Sequence, residues 1–266
     1  MPTATSDGVD IYYETAGEGL ADDTPVVLVP DAGYGAWLWG WQHAALAGPH
    51  EVVTYDARGT GNSDASEPYD VATLAADLEA VLADLGTRNA HLVGVGLGGM
   101  VALQYALDFS RARTLSLLGT SPGGPQATST APEIREQLAA DPEDRESLRT
   151  SLEPVASDEL LETEELVEQI VGWRAAEDAS REVQQAHFAA MDDFDVSDRL
   201  YEITIPALVG HGTADRVLPV ENGRLLAEQL PRGELQLFEG EHFCFVERSK
   251  AVNDALVGFL EAERDD

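Results

Sequence analysis

Short apolar runs alternate with helix-length segments through the first 120 residues, and this alternation limits the possible folds more than any other feature of the chain. It is the pattern of a largely parallel sheet with helices on its faces. Strands are predicted over Val9 to Tyr13, Val26 to Val29, Glu51 to Tyr55, His91 to Val95 and Thr114 to Leu118. Helices are predicted over Ala36 to Ala47, Val71 to Leu85 and Gly98 to Phe109. The turn residues Thr120 to Gly124 break the rhythm, and from Pro132 to Asp198 no strand-like run occurs. That stretch is dense in Glu, Asp, Leu and Ala and reads as an inserted helical lid. Strand patterning returns at Ile205 to Gly210, followed by a helix over Val220 to Leu230, a strand over Glu234 to Phe238 and a closing helix over Lys250 to Leu260. The expected division is an α/β core of residues 1–122 and 200–266, with the lid at 123–199. A core of this size buries roughly three quarters of the surface its unfolded chain exposes, so it needs neither disulfides nor a structural metal. The single cysteine, Cys244, agrees.

Charge narrows the partners. The 266 residues carry 49 acids against 16 basic residues, a net charge of -33, and among the basic residues only Lys250 is a lysine. Such a chain repels phosphate backbones and anionic lipid, so nucleic acid and membrane surfaces are not expected partners. At 44% hydrophobic residues it is too apolar for a disordered acidic tail. No signal peptide or spanning segment is evident, and the expected location is a cytoplasm rich in salt. There, screening over about 3 Å at 1 M removes the self-repulsion. The thermal midpoint is accordingly expected to rise from dilute buffer to about 3 M KCl, and an unchanged or falling midpoint would remove this reading.

The segment from His91 to Met100, HLVGVGLGGM, is a strand running through a glycine-dense turn into a helix. Gly94, Gly96 and Gly99 satisfy the dinucleotide fingerprint GxGxxG, but its context fails. Arg111 to Gly124 contains no acid, and three strands precede this one. The other reading is a nucleophile elbow, Gly-x-Ser-x-Gly, with Gly94 and Gly98 as its flanking glycines. Gly96 then stands where the serine would be.

With these residues in view, the chain resembles the α/β-hydrolase superfamily, especially its small esterase, lactonase and methylesterase-like members related to 3-oxoadipate enol-lactonases. The segment from Asp56 to Asp64, DARGTGNSD, is similar to the family's D-x-R-G-x-G-x-S loop. Leu208 to Pro219 is similar to its acid-bearing loop, and Glu239 to Glu247 to its histidine loop. The resemblance implies an α/β-hydrolase fold with a helical lid, a His242–Asp215 pair, and an oxyanion hole made by the backbone N–H groups of Leu97 and Ala32. A histidine acts as a base near neutral pH when a buried carboxylate fixes its tautomer and stabilises the imidazolium.

Two departures bear on the chemistry. Gly96 removes acyl-enzyme formation, since there is no side chain to acylate. Where family members carry His-Gly-x-Gly, this chain has Pro30-Asp31-Ala32-Gly33. A carboxylate at Asp31 opposes a developing oxyanion if it points inward; if it points outward it is one more surface or turn acid. Further pocket candidates are Trp37, Ser121, Trp173 and Phe188, each with a plain packing or turn role as the alternative. No motif implies a metal or organic cofactor.

Three functions fit. The first is hydrolysis of a small ester, lactone or related carbonyl compound, with His242 deprotonating a water lodged beside Gly96. That mechanism predicts a rate rising through an apparent pKa near that of histidine, about 6.5 before perturbation by its surroundings. The second is a non-catalytic small-molecule binding protein on the same scaffold. The third is a serine esterase whose serine at position 96 has been replaced, in which case restoring it creates activity.

Overall fold

A computed structural model describes residues 2–17 and 24–263. Eight strands form one sheet: β1 (Thr3–Ser6), β2 (Val9–Ala16), β3 (Val26–Val29), β4 (Val52–Tyr55), β5 (Ala90–Val95), β6 (Ala112–Leu118), β7 (Ala207–Gly212) and β8 (Gly233–Phe238). Their order is β1-β2-β4-β3-β5-β6-β7-β8. β1 and β2 join antiparallel at one edge, and the rest of the sheet is parallel. β3, β4 and β5 are buried along their whole length, as continuous apolar runs between two helical layers must be.

The first β–α unit runs from β3 through a 3₁₀ turn (Ala36–Trp39) and α1 (Gly40–Leu46) to β4. The next runs through α2 (Val71–Asp84) to β5 on the other side of β3. Because right-handed crossovers step in opposite directions here, α1 and α2 cover opposite faces. α3 (Leu97–Asp108) packs on α2, and the closing helix α11 (Ser249–Ala262) packs on α1. This reversal at β3 and β5 makes a crevice at the carboxyl ends of the strands, where open α/β sheets hold their ligands.

Five helices occupy the predicted lid: α4 (Pro132–Leu138), α5 (Arg145–Thr150), α6 (Asp158–Leu161), α7 (Glu164–Glu177) and α8 (Arg181–Asp193). β7 is followed by α9 (Val220–Gln229), and α10 (Cys244–Glu247) precedes α11. The sequence reading missed β1, although its signal was present. Asp7 and Gly8 both take positive φ in the two-residue turn that pairs Ser6 with Val9, a geometry that Asp-Gly favours. No helix among the described residues is long and apolar enough to cross a membrane.

Candidate functional site

Val29 of β3 pairs with Gly94 of β5, so the segment after β3, Pro30-Asp31-Ala32, runs beside the turn Val95-Gly96-Leu97 at the carboxyl edge of the sheet. Gly96 adopts φ 52° and ψ −117°. A residue with a side chain would store roughly 1–3 kcal/mol of strain there, which glycine avoids. The hydroxyl of Thr120 donates to the Gly96 carbonyl at 2.6 Å and braces the turn.

Asp31 is buried and points inward. Its Oδ1 accepts from its own neighbour Ala32 N at 2.7 Å and from Leu97 N at 2.8 Å. Its Oδ2 lies 3.1 Å from His242 Nε2. A Cβ placed on Gly96 would lie 1.9 Å from Asp31 Oδ1. The carboxylate therefore fills the volume that a side chain at position 96 would need. It also takes both N–H donors expected to receive an oxyanion, and it occupies the space in which a water was expected to lodge. Those two expectations are corrected for one physical reason. Two convergent backbone N–H groups at the start of a helix, with an imidazole beside them, form a carboxylate site. Asp31 fills it, and a serine at position 96 does not fit while Asp31 sits there.

Asp215 follows β7 and His242 follows β8. His242 Nδ1 lies 2.7 Å from Asp215 Oδ2. Asp215 Oδ1 accepts from Val217 N at 2.8 Å and Leu218 N at 2.9 Å, so the acid is fixed before it meets the imidazole. His211 Nε2 sits 2.7 Å from the Leu218 carbonyl and 3.5 Å from Asp215 Oδ2. Burial alone would keep His242 neutral. The charge and hydrogen bond of Asp215, joined by those of Asp31, outweigh it and push the imidazole up to about 10. Burial would likewise raise Asp215, but the charge of His242 and the hydrogen bonds from His211 and His242 hold it well below the usual carboxylate range. At neutral pH His242 is an imidazolium, with Asp215 on its Nδ1 side and Asp31 on its Nε2 side. The unperturbed histidine value of about 6.5 therefore does not hold for His242, because Asp215 and Asp31 both favour the charged ring.

A narrow cavity with room for about one water lies over this array. Asp31, His242, Tyr34, Arg135, Phe188 and Met191 are among its walls. Phe188 is where the sequence reading placed it. Trp37 and Trp173 do not line the cavity. They stack on each other with ring centroids 6.1 Å apart, at the seam between the 3₁₀ turn and α7. Trp173 misses the inward stripe of α7, which is Val167, Ile170, Val171 and Arg174. Ser121 lines a neighbouring cleft, and its hydroxyl accepts from Gly123 N at 3.1 Å as a turn residue.

Three further residues matter that the sequence reading did not single out for the site. Arg174 completes the helical spacing of that α7 stripe, a signal that was available. His187 belongs to no motif, yet its Nδ1 accepts from Gly33 N at 3.0 Å and ties α8 to the loop carrying Asp31. Burial lowers its pKa to about 4, so it remains the neutral acceptor this bond requires. Arg135, on α4, reaches the cavity from the lid, and nothing in its sequence surroundings marks it.

The profile of the alpha/beta hydrolase family matches residues 26–255. A Caulobacter vibrioides protein provisionally named carbamate hydrolase RutD is 32% identical over 269 residues, covering 98% of each chain. The 2-hydroxy-6-oxo-6-phenylhexa-2,4-dienoate hydrolase of Comamonas testosteroni is 30% identical over 94% of this chain and 91% of its own. Among solved structures, the enol-lactonase of Burkholderia xenovorans superposes with a TM-score of 0.85 at 25% identity, over 97% of this chain and 99% of that one.

Proposed function

The chain belongs to the alpha/beta hydrolase family, and from that premise we propose that it hydrolyses a small ester, lactone or related carbonyl compound by acid–base catalysis, with no covalent intermediate. The observation that carries this reading is the seat of Asp31, between the two N–H donors and His242 Nε2. It sets a candidate base, Asp31, beside an imidazolium acid, with His242 already in its working form at neutral pH. Water bound in the cavity gives a proton to Asp31 as its oxygen bonds to the carbonyl carbon. The His242 imidazolium polarises the carbonyl and then protonates the leaving oxygen as the C–O bond breaks. The proton then passes from Asp31 to His242 across their 3.1 Å contact, which restores the resting state. Asp215 keeps the imidazole oriented and supports its charge.

Because His242 is raised to about 10, its acid form persists through neutrality and is lost as pH rises through that value. Hydrolysis of short activated esters and lactones is therefore expected to be flat across neutral pH and to fall at about pH 10. Asp31→Asn and His242→Ala should each cost roughly 10²- to 10⁴-fold. A rate that climbs through about pH 6.5 would instead identify His242 as the base and overturn this mechanism. Occupation of both N–H donors by Asp31 also supports a second reading, a binding pocket without turnover. Equal inertness of the wild type and His242→Ala across a broad panel would select it.

A further inference from the structure

The turn that carries Asp31 is braced by the lid. Tyr34 N donates to the Asp31 carbonyl at 3.2 Å, which closes residues 31–34 into one compact unit. Within that unit both polar backbone groups of Gly33 are taken by lid residues: its N–H donates to His187 Nδ1 at 3.0 Å, and its carbonyl accepts from Ala179 N at 2.9 Å. Gln184 of α8 sits directly against Gly33, since a Cβ placed there would fall 2.5 Å from Gln184 Cγ. The Gln184 amide is itself anchored, accepting from Ala140 N at 2.9 Å and donating to the Ala140 and Ala179 carbonyls at 2.9 and 2.8 Å. The same helix brings Phe188 and Met191 to the cavity wall. His187 is fully buried, with the Tyr69 ring edge-on at 5.5 Å. Burial keeps the imidazole neutral, although the Arg58 backbone and the Asp31 charge pull the other way. A neutral ring accepts at Nδ1 only with its proton on Nε2.

We infer that His187 is a positioning residue that, through Gly33, keeps the Asp31 carboxylate seated between the Leu97 N–H and His242. As a statement about turnover this rests on the proposed function; as a statement about the seat of Asp31 it does not. Without an acceptor at His187 the Gly33 N–H is buried and unsatisfied, and the turn must shift to find another partner. Because residues 31–34 form one unit, that shift carries Asp31 Oδ2 away from His242 Nε2, and the attraction between them weakens with distance. The lid thereby acts on the acid–base pair without touching it.

The test follows the titration of His242 by NMR on protein with ¹⁵N-labelled histidine rings, at fixed KCl concentration and without substrate, the signals being assigned by their loss in His242→Ala. His187→Phe and His187→Leu remove the acceptor, whereas His187→Asn places an amide oxygen at the same bond separation from the backbone as Nδ1. Wild-type His242 should titrate at about 10, and in Asp31→Asn about one to three pH units lower, the usual effect of one neighbouring charge. Both acceptor-free variants should move at least about one pH unit toward Asp31→Asn, and His187→Asn should return most of the difference. A merely structural role would lower the thermal midpoint and leave the His242 titration in place. A folded His187→Phe or His187→Leu in which His242 titrates as in the wild type overturns the inference, as does an Asp31→Asn that does so. Should neither acceptor-free variant fold, the wild type decides: its His187 ring should carry the proton on Nε2, and a proton on Nδ1 overturns the inference. Absent turnover with the expected titrations would reject the proposed function and leave this inference standing.

Discussion

Gly96→Ser alone is expected to yield a folded but less stable protein with no acyl-enzyme burst, whereas Gly96→Ser combined with Asp31→Gly should show one on p-nitrophenyl acetate. The single substitution meets two obstacles. Its Cβ falls 1.9 Å from Asp31 Oδ1, and its backbone at φ 52° stores roughly 1–3 kcal/mol for a residue with a side chain. Even with Asp31 displaced sideways, a carboxylate near the N–H groups of Ala32 and Leu97 would oppose the oxyanion. Removing Asp31 clears the volume, frees both donors and takes away one of the two charges that hold His242 at about 10. The pKa of the imidazole then falls, although Asp215 still supports its charge, and the rate of the double variant should rise with pH as the ring loses its proton. Its turnover should exceed that of either single variant by roughly 10² or more, because triad members act as a unit. A burst from Gly96→Ser alone, or a folded double variant without one, would refute the coupling between positions 31 and 96.

The second large effect concerns stability. Asp178 is buried and accepts from Arg174 Nε at 2.7 Å, Trp37 Nε1 at 2.8 Å and Gly35 N at 3.3 Å, which joins α7 to the loop leading from β3. Asp178→Ala is expected to cost about 3–5 kcal/mol, since the Arg174 charge stays buried without its partner. At about 2–4 °C per kcal/mol for a chain of this size, the thermal midpoint should drop on the order of 10 °C. Replacing Arg174 by Met as well should recover part of that loss, because an apolar pair of similar volume tolerates burial better than one unpaired charge. The N–H groups of Trp37 and Gly35 stay unsatisfied, so recovery should be incomplete. A loss below about 1 kcal/mol in Asp178→Ala would mean that water reaches the pair.

The layered α/β core and the order of its strands and helices from β2 onward were legible in the chain, because local periodicity decides them, whereas the loops carrying Asp215 and His242 were legible through the family resemblance. Ala32 and Leu97 were legible as a pair of N–H donors only through that resemblance. The orientation of Asp31 was not. Whether a carboxylate after β3 faces water or the site depends on what lies 66 residues away in sequence, namely a glycine at position 96 that leaves the space and an N–H at Leu97 that fills a lone pair. The state of His242 depends in turn on that orientation, since charge interactions act through space and no spacing rule counts them. Trp37 and Trp173 teach the same lesson from the other side. Their aromatic character was plain, but their side of the helix was settled only by the packing of α7, where Arg174 rather than Trp173 turns inward. The sequence by itself determined the scaffold and the identities of the chemical groups. Only the tertiary structure decided which carboxylate fills the space beside Gly96, because that outcome is set by steric volume and converging hydrogen-bond donors from segments far apart in the chain.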